Sequence, residues 1–370
     1  MKRGLGGVGC ALAVLAACST FDASNDVAGS DAGVDGPAGP VDGGPLADGS
    51  AVDAPTSSPR YLYVFGGTND VGSTTFVPAS YRALVHDDGS LGVWERAPDL
   101  DVEREGAALA VTSTGVVFYG GAHVRDAGSS FSPSVVYWAD AGWQQGTPVP
   151  SGLNHPAGAA NGETVYVSGG EPDAGLIAAS VRSATVTPSG VGSWSDQRAM
   201  PVGLLDHGMF VEGGRLYVAG GTSYTGSGFA RSAGVVSAEI GADGTLGAWA
   251  DAGCLGEAIA GAMIAKLGDR YLLAGGHNGG NSGSTTTWIG TVSAGGDIAW
   301  KEASPMPAPR AAACAASDGK TMYVLGGATS IPLAATADAY SAVITPGDIV
   351  SWKTLTAMPE ARSYAGCVIR

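Results

Sequence analysis

Six times along this chain a short apolar run stops on two glycines, and the interval from one pair to the next hardly changes. The runs are YVFGG (Gly66-Gly67), VFYGG (Gly120-Gly121), YVSGG (Gly169-Gly170), YVAGG (Gly220-Gly221), LLAGG (Gly275-Gly276) and YVLGG (Gly326-Gly327). Successive pairs lie 54, 49, 51, 55 and 51 residues apart. A tryptophan follows each pair by 23 to 29 residues, at Trp94, Trp143, Trp194, Trp249, Trp300 and Trp352. A fixed period of about 50 residues marks a repeat architecture in which each copy is one supersecondary unit.

Each unit reads as four strands: an apolar strand after a connection such as MPVG or MPAPR, a second ending in Gly-Gly, a third, and a fourth carrying the Trp. Turns such as DDGS and ADGT separate the last two, and Asp-Gly between alternating apolar residues is a strong hairpin signal. Units of four short strands at this period are the blades of a β-propeller. The 60 glycines among 370 residues, about 16% of the chain, fit many tight turns between short strands. Phosphate binding is the other use of a glycine pair after a strand. No Gly-Lys-Ser/Thr follows any of the six, so the glycines read as structural.

The first unit lacks its opening strand. AMPEARSYAGCVIR, at residues 357–370, is an opening strand with no successor. Joined, they make one complete unit, so the C-terminal strand is expected to pair with Tyr61–Phe65 and close a six-bladed ring without exposed edges.

These features resemble the kelch family, whose blades carry the double glycine, a Tyr just before it (Tyr63, Tyr166, Tyr217 and Tyr323) and a Trp in the outer strand. Val117 and Leu272 depart from the Tyr position. The resemblance covers about 310 residues and implies an all-β, six-bladed kelch-type propeller over residues 59–370. It implies interblade core for the Trp and Tyr stripes, and a ligand-binding face built from the loops after the glycines and the loops entering each inner strand.

The N-terminal segment gives an address. MKRGLGGVGCALAVLAAC has two basic residues, then an apolar run too short to span a bilayer, then small residues, as a secretory signal does. Leu15-Ala16-Ala17-Cys18 resembles a bacterial lipobox, so residues 1–18 are expected to be a lipoprotein signal peptide and Cys18 the lipidated residue. Ser19, rather than Asp, after the cysteine implies the outer membrane or cell surface. Residues 19–58 carry seven Asp and no Lys or Arg among Gly, Ala and Pro, and read as a disordered acidic linker. With a net charge of −15, nucleic acid is excluded as a partner and the membrane is met only through the lipid. The chain is expected to be a monomer.

Sixteen residues before each glycine pair stands the first residue of an inner strand: Arg104, Leu153, Leu204, Ile259, Arg310 and, across the closure, Arg362. The three arginines fall on contiguous blades two, six and one, and are expected to make a basic mouth for an anionic sugar or acidic peptide, with His155, Asp206 and His207 near the other rim. Alternatively Glu103, Glu105 and Glu360 neutralise them as ordinary pairs. Loops after the glycines mix Gly, Ser, Thr and Asn with Phe76, Phe131, Tyr224 and Phe229, and can recognise sugars or proteins or serve as plain turns. Cys314 and Cys367 face one another across neighbouring blades, either bridged or as two buried thiols.

Function divides two ways. A lipid-anchored, non-catalytic module binding a protein or carbohydrate is the first reading, with no cofactor and no metal. A sugar-modifying enzyme is the second, since the kelch family includes a six-bladed sialic acid epimerase. Glu103, Glu105, Glu257 and His207 would then be acid/base candidates.

Overall fold

A computed structural model describes residues 58–69, 76–100, 103–125, 128–139, 142–172, 176–280, 282–330 and 334–370. The expected signal segment with Cys18, and all but the last residue of the expected linker, lie outside the described residues. Six antiparallel sheets, each of four strands and with no helix among the described residues, form the blades of a β-propeller. In blade four, for instance, the strands run Gly208–Glu212, Arg215–Ala219, Gly234–Ile240 and Leu246–Cys254 from the axis outward. Blade three breaks its outer strand into Gly190–Val191 and Ser195–Asp196.

Blade one is assembled from both ends of the chain. Gly366–Ile369 is its inner strand and pairs antiparallel with Tyr61–Phe65 in the register Leu62 to Ile369 and Phe65 to Gly366. Two further bonds extend the ladder, Tyr61 N to Arg370 O at 2.6 Å and Arg370 N to Tyr61 O at 2.9 Å. Cys367 on this strand is joined by a disulfide to Cys314 on the inner strand of blade six, with Cα atoms 5.8 Å apart. The closing strand is therefore held on one side by a ladder and on the other by a covalent bond.

The repeated residues show what holds blade to blade. Both glycines of each pair have positive φ, for example 65° and 93° at Gly66 and Gly67, a region other residues enter at a cost. This turn aims the second N–H at the next blade: Gly67 donates to Arg104 O, Gly121 to Leu153 O, Gly170 to Leu204 O, Gly221 to Ile259 O, Gly276 to Arg310 O and Gly327 to Arg362 O, at 2.7 to 2.8 Å. A Cβ on the first glycine would sit on that same carbonyl, 2.6 Å away at Gly66 and 2.2 Å at Gly169. Side chains repeat the logic. Tyr166 OH donates to Gly244 O of the following blade at 2.7 Å, and Tyr217 OH to Gly296 O at 2.8 Å. Trp94, Trp194, Trp249 and Trp352 each donate Nε1 to a carbonyl in the connection leaving the preceding blade. Apolar side chains fill the spaces between, as where Phe210 and Tyr217 of blade four pack on Tyr271 of blade five.

Candidate functional site

Fourteen residues before each glycine pair, at Gly106, His155, Asp206, Gly261 and Ala312, and at Tyr364 across the closure, the chain turns through a left-handed conformation with φ between 53° and 63°. These six residues are linked head to tail by backbone hydrogen bonds. Gly106 N donates to Tyr364 O, His155 N to Gly106 O, Asp206 N to His155 O, Gly261 N to Asp206 O, Ala312 N to Gly261 O and Tyr364 N to Ala312 O, over 2.7 to 3.2 Å. The bonds close a collar around the propeller axis. Four collar residues are not glycine although the backbone favours it, and three of them, His155, Asp206 and Tyr364, carry polar side chains.

The collar and the residue after each of its members line a cavity of about 150 Å³, with His155, Asp206, His207 and Tyr364 among its walls. His155 Nδ1 lies 2.7 Å from Asp206 Oδ1, and its Nε2 lies 3.9 Å from Glu105 Oε1. The Tyr364 ring meets the imidazole edge-on, with centroids 4.2 Å apart. Burial disfavours the imidazolium, but the charge and hydrogen bond of Asp206, with Glu105 and Glu171 adding, raise the His155 pKa to about 9. Burial likewise opposes ionisation of Asp206, yet His155 holds its carboxyl below the usual range, helped by His277 and Arg231. Glu105 goes the other way, because desolvation outweighs its attraction to His155 and Asp206 repels it. Desolvation also pushes the Tyr364 phenol well up, with Asp206 and Glu105 adding. At neutral pH the site therefore holds an imidazolium–carboxylate pair, flanked by a second carboxyl whose pKa is raised by desolvation and by a neutral phenol. Such a set can donate and accept hydrogen bonds on one small ligand, and can move a proton.

The expected basic mouth is corrected by the burial of its arginines. Arg104, Arg310 and Arg362 are 0%, 1% and 0% exposed. Their guanidinium groups turn into their own blades: Arg104 donates to the Gly120 and Ser134 carbonyls and to Ser134 Oγ, and Arg362 to the Gly66 and Ala79 carbonyls. Arg310 bonds Pro309 O, Asp338 and the Tyr340 hydroxyl. They brace the loop that follows the glycine pair and present no charge to a ligand. Of the acids expected to neutralise them only Glu360 does so, accepting from Arg362 Nη2 at 3.2 Å, while Glu103 is exposed.

The other expected residues separate. His155 and Asp206 are brought together at the cavity, with Glu105 beside them. His207 contributes to the cavity wall, but its Nε2 bonds Ser168 Oγ of blade three at 2.8 Å, and burial lowers its pKa to about 4, so it stays neutral between blades. Three residues escaped the sequence reading: Tyr364, His277 and Arg231. Tyr364 could have been found by reading the column two residues after the arginines. Arg231 ends the short strand Phe229–Arg231, outside the four strands of the repeat.

The solved structure of YjhT matches with a TM-score of 0.62 over 78% of this chain and 96% of that one, at 16% sequence identity, which shows the propeller fold alone. No family model and no curated protein matches the sequence.

Proposed function

We propose that this protein is a lipid-anchored binding module, tethered through Cys18 and the acidic segment 19–58, that presents the loop face of a kelch-type propeller to a protein or carbohydrate ligand at the outer membrane or cell surface. The observation that carries the binding reading is the axial cluster. A charged pair and a phenol line a cavity, in a backbone conformation that side chains ordinarily avoid and glycine adopts freely, and a second carboxyl, Glu105, stands beside them. At about 150 Å³ the cavity is small against the roughly 300–1,000 Å³ of ordinary ligand pockets. It takes one polar end of a ligand whose remainder lies on the loops.

A glycan array probed with the purified protein, followed by thermal shift on each hit, tests this reading. A hit is expected to raise the melting temperature of the wild type, and Asp206→Asn is expected to remove that shift. A ligand that stabilises Asp206→Asn and wild type equally would place binding elsewhere. For the address, metabolic labelling with a fatty acid should mark the wild type and spare Cys18→Ser; label on both would remove the anchor.

A second reading, a sugar-modifying enzyme of the epimerase or mutarotase kind, is favoured by one observation. His155 holds a proton beside a carboxylate, and Glu105 has a raised pKa, so an acid and a base stand together. Anomer exchange of array hits, followed by NMR, would be accelerated by wild type and lost in His155→Gln if the site is catalytic. An exchange rate unchanged by enzyme leaves the binding module alone.

A further inference from the structure

At the end of the blades away from the collar, a cavity of about 840 Å³ lies between blades four and five. That volume falls within the roughly 300–1,000 Å³ of ordinary ligand pockets, where the axial cavity does not. Its walls are turns. One is the hairpin tip Gly213-Gly214 between the first two strands of blade four, and the other is the turn between the last two strands of blade five, with Gly295-Gly296. Neither pair belongs to the six clips. At Gly213 and Gly214, with φ of 55° and 72°, an added Cβ meets nothing within 4 Å, and Gly268 in the blade five hairpin is alike. The same hairpin tip carries Glu163 in blade three and Asp318 and Lys320 in blade six. Here the wall is bare main chain, which another main chain can approach closely.

Charges of both signs line the same cavity. Lys266 of blade five pairs with Glu212 of blade four, and Arg215 Nη1 donates to Glu239 at 2.8 Å. Gly296 makes room for this arginine, since a Cβ there would lie 2.8 Å from Arg215 Cδ. Arg215 Nε donates to Ser237 Oγ at 3.2 Å, and its Nη2 has no partner among the described residues. On the blade five side the Asp269 side chain is 91% exposed. Its ion pair among the described residues is a 3.6 Å contact with Arg270, whose Nη1 is bonded to Asp348 at 2.9 Å. One donor and one acceptor are therefore left over, on opposite blades of one cavity.

We propose that this interblade cavity is a second binding site, which takes an extended peptide segment of a partner protein carrying both an acidic and a basic side chain. The peptide carboxylate meets Arg215, its cation meets Asp269, and its main chain lies against the glycine turns. A purely acidic segment would face Glu212, Glu239 and Asp269, and a purely basic one Arg215 and Lys266, so charge complementarity asks for both signs. Ile240 and Val292 give the side-chain stems an apolar wall. This site lies away from the axial cluster and goes beyond the function proposed above.

The test uses immobilised octapeptides of Gly and Ser that carry one Lys and one Asp at varied spacing, two Lys, two Asp, or no charge. Wild type is expected to retain the best of the mixed series at least about tenfold more tightly than the other three, with a preference that falls as salt rises. Gly295→Leu obstructs the cavity. Gly295 lies outside the left-handed region and an added Cβ would meet Ser293 Oγ at 3.6 Å, so the melting temperature should hold while retention is lost. Asp269→Asn, at an exposed position, should bring the mixed and two-Asp series level. Equal retention of all four series by wild type, retention of none, or a mixed-series preference intact in Gly295→Leu overturns the site. Loss of retention in Asp206→Asn with full retention in Gly295→Leu overturns it too, and assigns the peptide to the axial cavity. A glycan array without hits would sink the carbohydrate reading and leave this result standing.

Discussion

The glycine clips and the axial collar are both sixfold, yet only one of them is uniform in its side chains. At the clips the same residue recurs at every blade because the contact is made by the backbone and a Cβ has nowhere to go. At the collar the backbone also repeats, with φ between 53° and 63° and an unbroken ring of hydrogen bonds, but the side chains run Gly, His, Asp, Gly, Ala and Tyr. A repeat constrains backbone where blades touch and leaves side chains open where they face the axis. Chemistry collects on blades one to four, whereas the Gly261 and Ala312 arc of blades five and six offers none.

The contrast can be broken from the clip side first. Removing residues 360–370 deletes the inner strand of blade one together with one clip carbonyl and one collar residue, and cooperative melting is expected to vanish; a truncated protein with an unchanged calorimetric transition would end the closed-ring description. Gly169→Ala comes next. Its Cβ would lie 2.2 Å from Leu204 O, and a loss of about 3 kcal/mol or more is expected in urea unfolding. Gly162→Ala, also at positive φ but with nothing within 4 Å, should lose only about 1 kcal/mol. Equal costs at the two glycines would mean that conformation, rather than the neighbouring blade, selects the clip.

On the collar side the effects are smaller and depend on pH. The folded pKa of His155, about 9, lies above an unfolded value of about 6.5. Its contribution is fully present below pH 6.5 and is lost as pH rises through 9. Melting curves of wild type should fall over that window, and those of His155→Gln should fall less; parallel curves would remove the imidazolium from the site. Ala312→Gly is the mildest change. It relieves a left-handed alanine and should stabilise the fold by up to about 1 kcal/mol, unless unfolded-state entropy offsets the gain. Destabilisation by more than about 1 kcal/mol would show that the Ala312 methyl, not the turn, matters there.

Much of the fold was legible in the sequence because its determinants are residue identities at a fixed period. The glycine pairs, the tryptophans and the split first blade each name a contact that one residue type makes best. The site was legible only in part. His155 and Asp206 could be placed near the mouth by counting from the glycines, but their mutual 2.7 Å contact is a product of the collar turn. Arg104, Arg310 and Arg362 misled because counting gives where an inner strand begins and not where its first side chain points. The acceptors that hold them are mostly main-chain carbonyls, which leave no trace in a sequence. Tyr364 was hidden by a column whose other members include two glycines and an alanine.

The split blade also decides how the propeller meets mechanical load. A pull on the chain at Arg60 enters the fold at Tyr61–Phe65, a strand flanked by Gly366–Ile369 on one side and Ser80–Leu84 on the other. Tension is shared by two ladders, and the Cys314–Cys367 bond passes part of it to blade six. The place where the ring is sewn shut is thus also where a tether would tug, and it carries the one covalent stitch between neighbouring blades among the described residues.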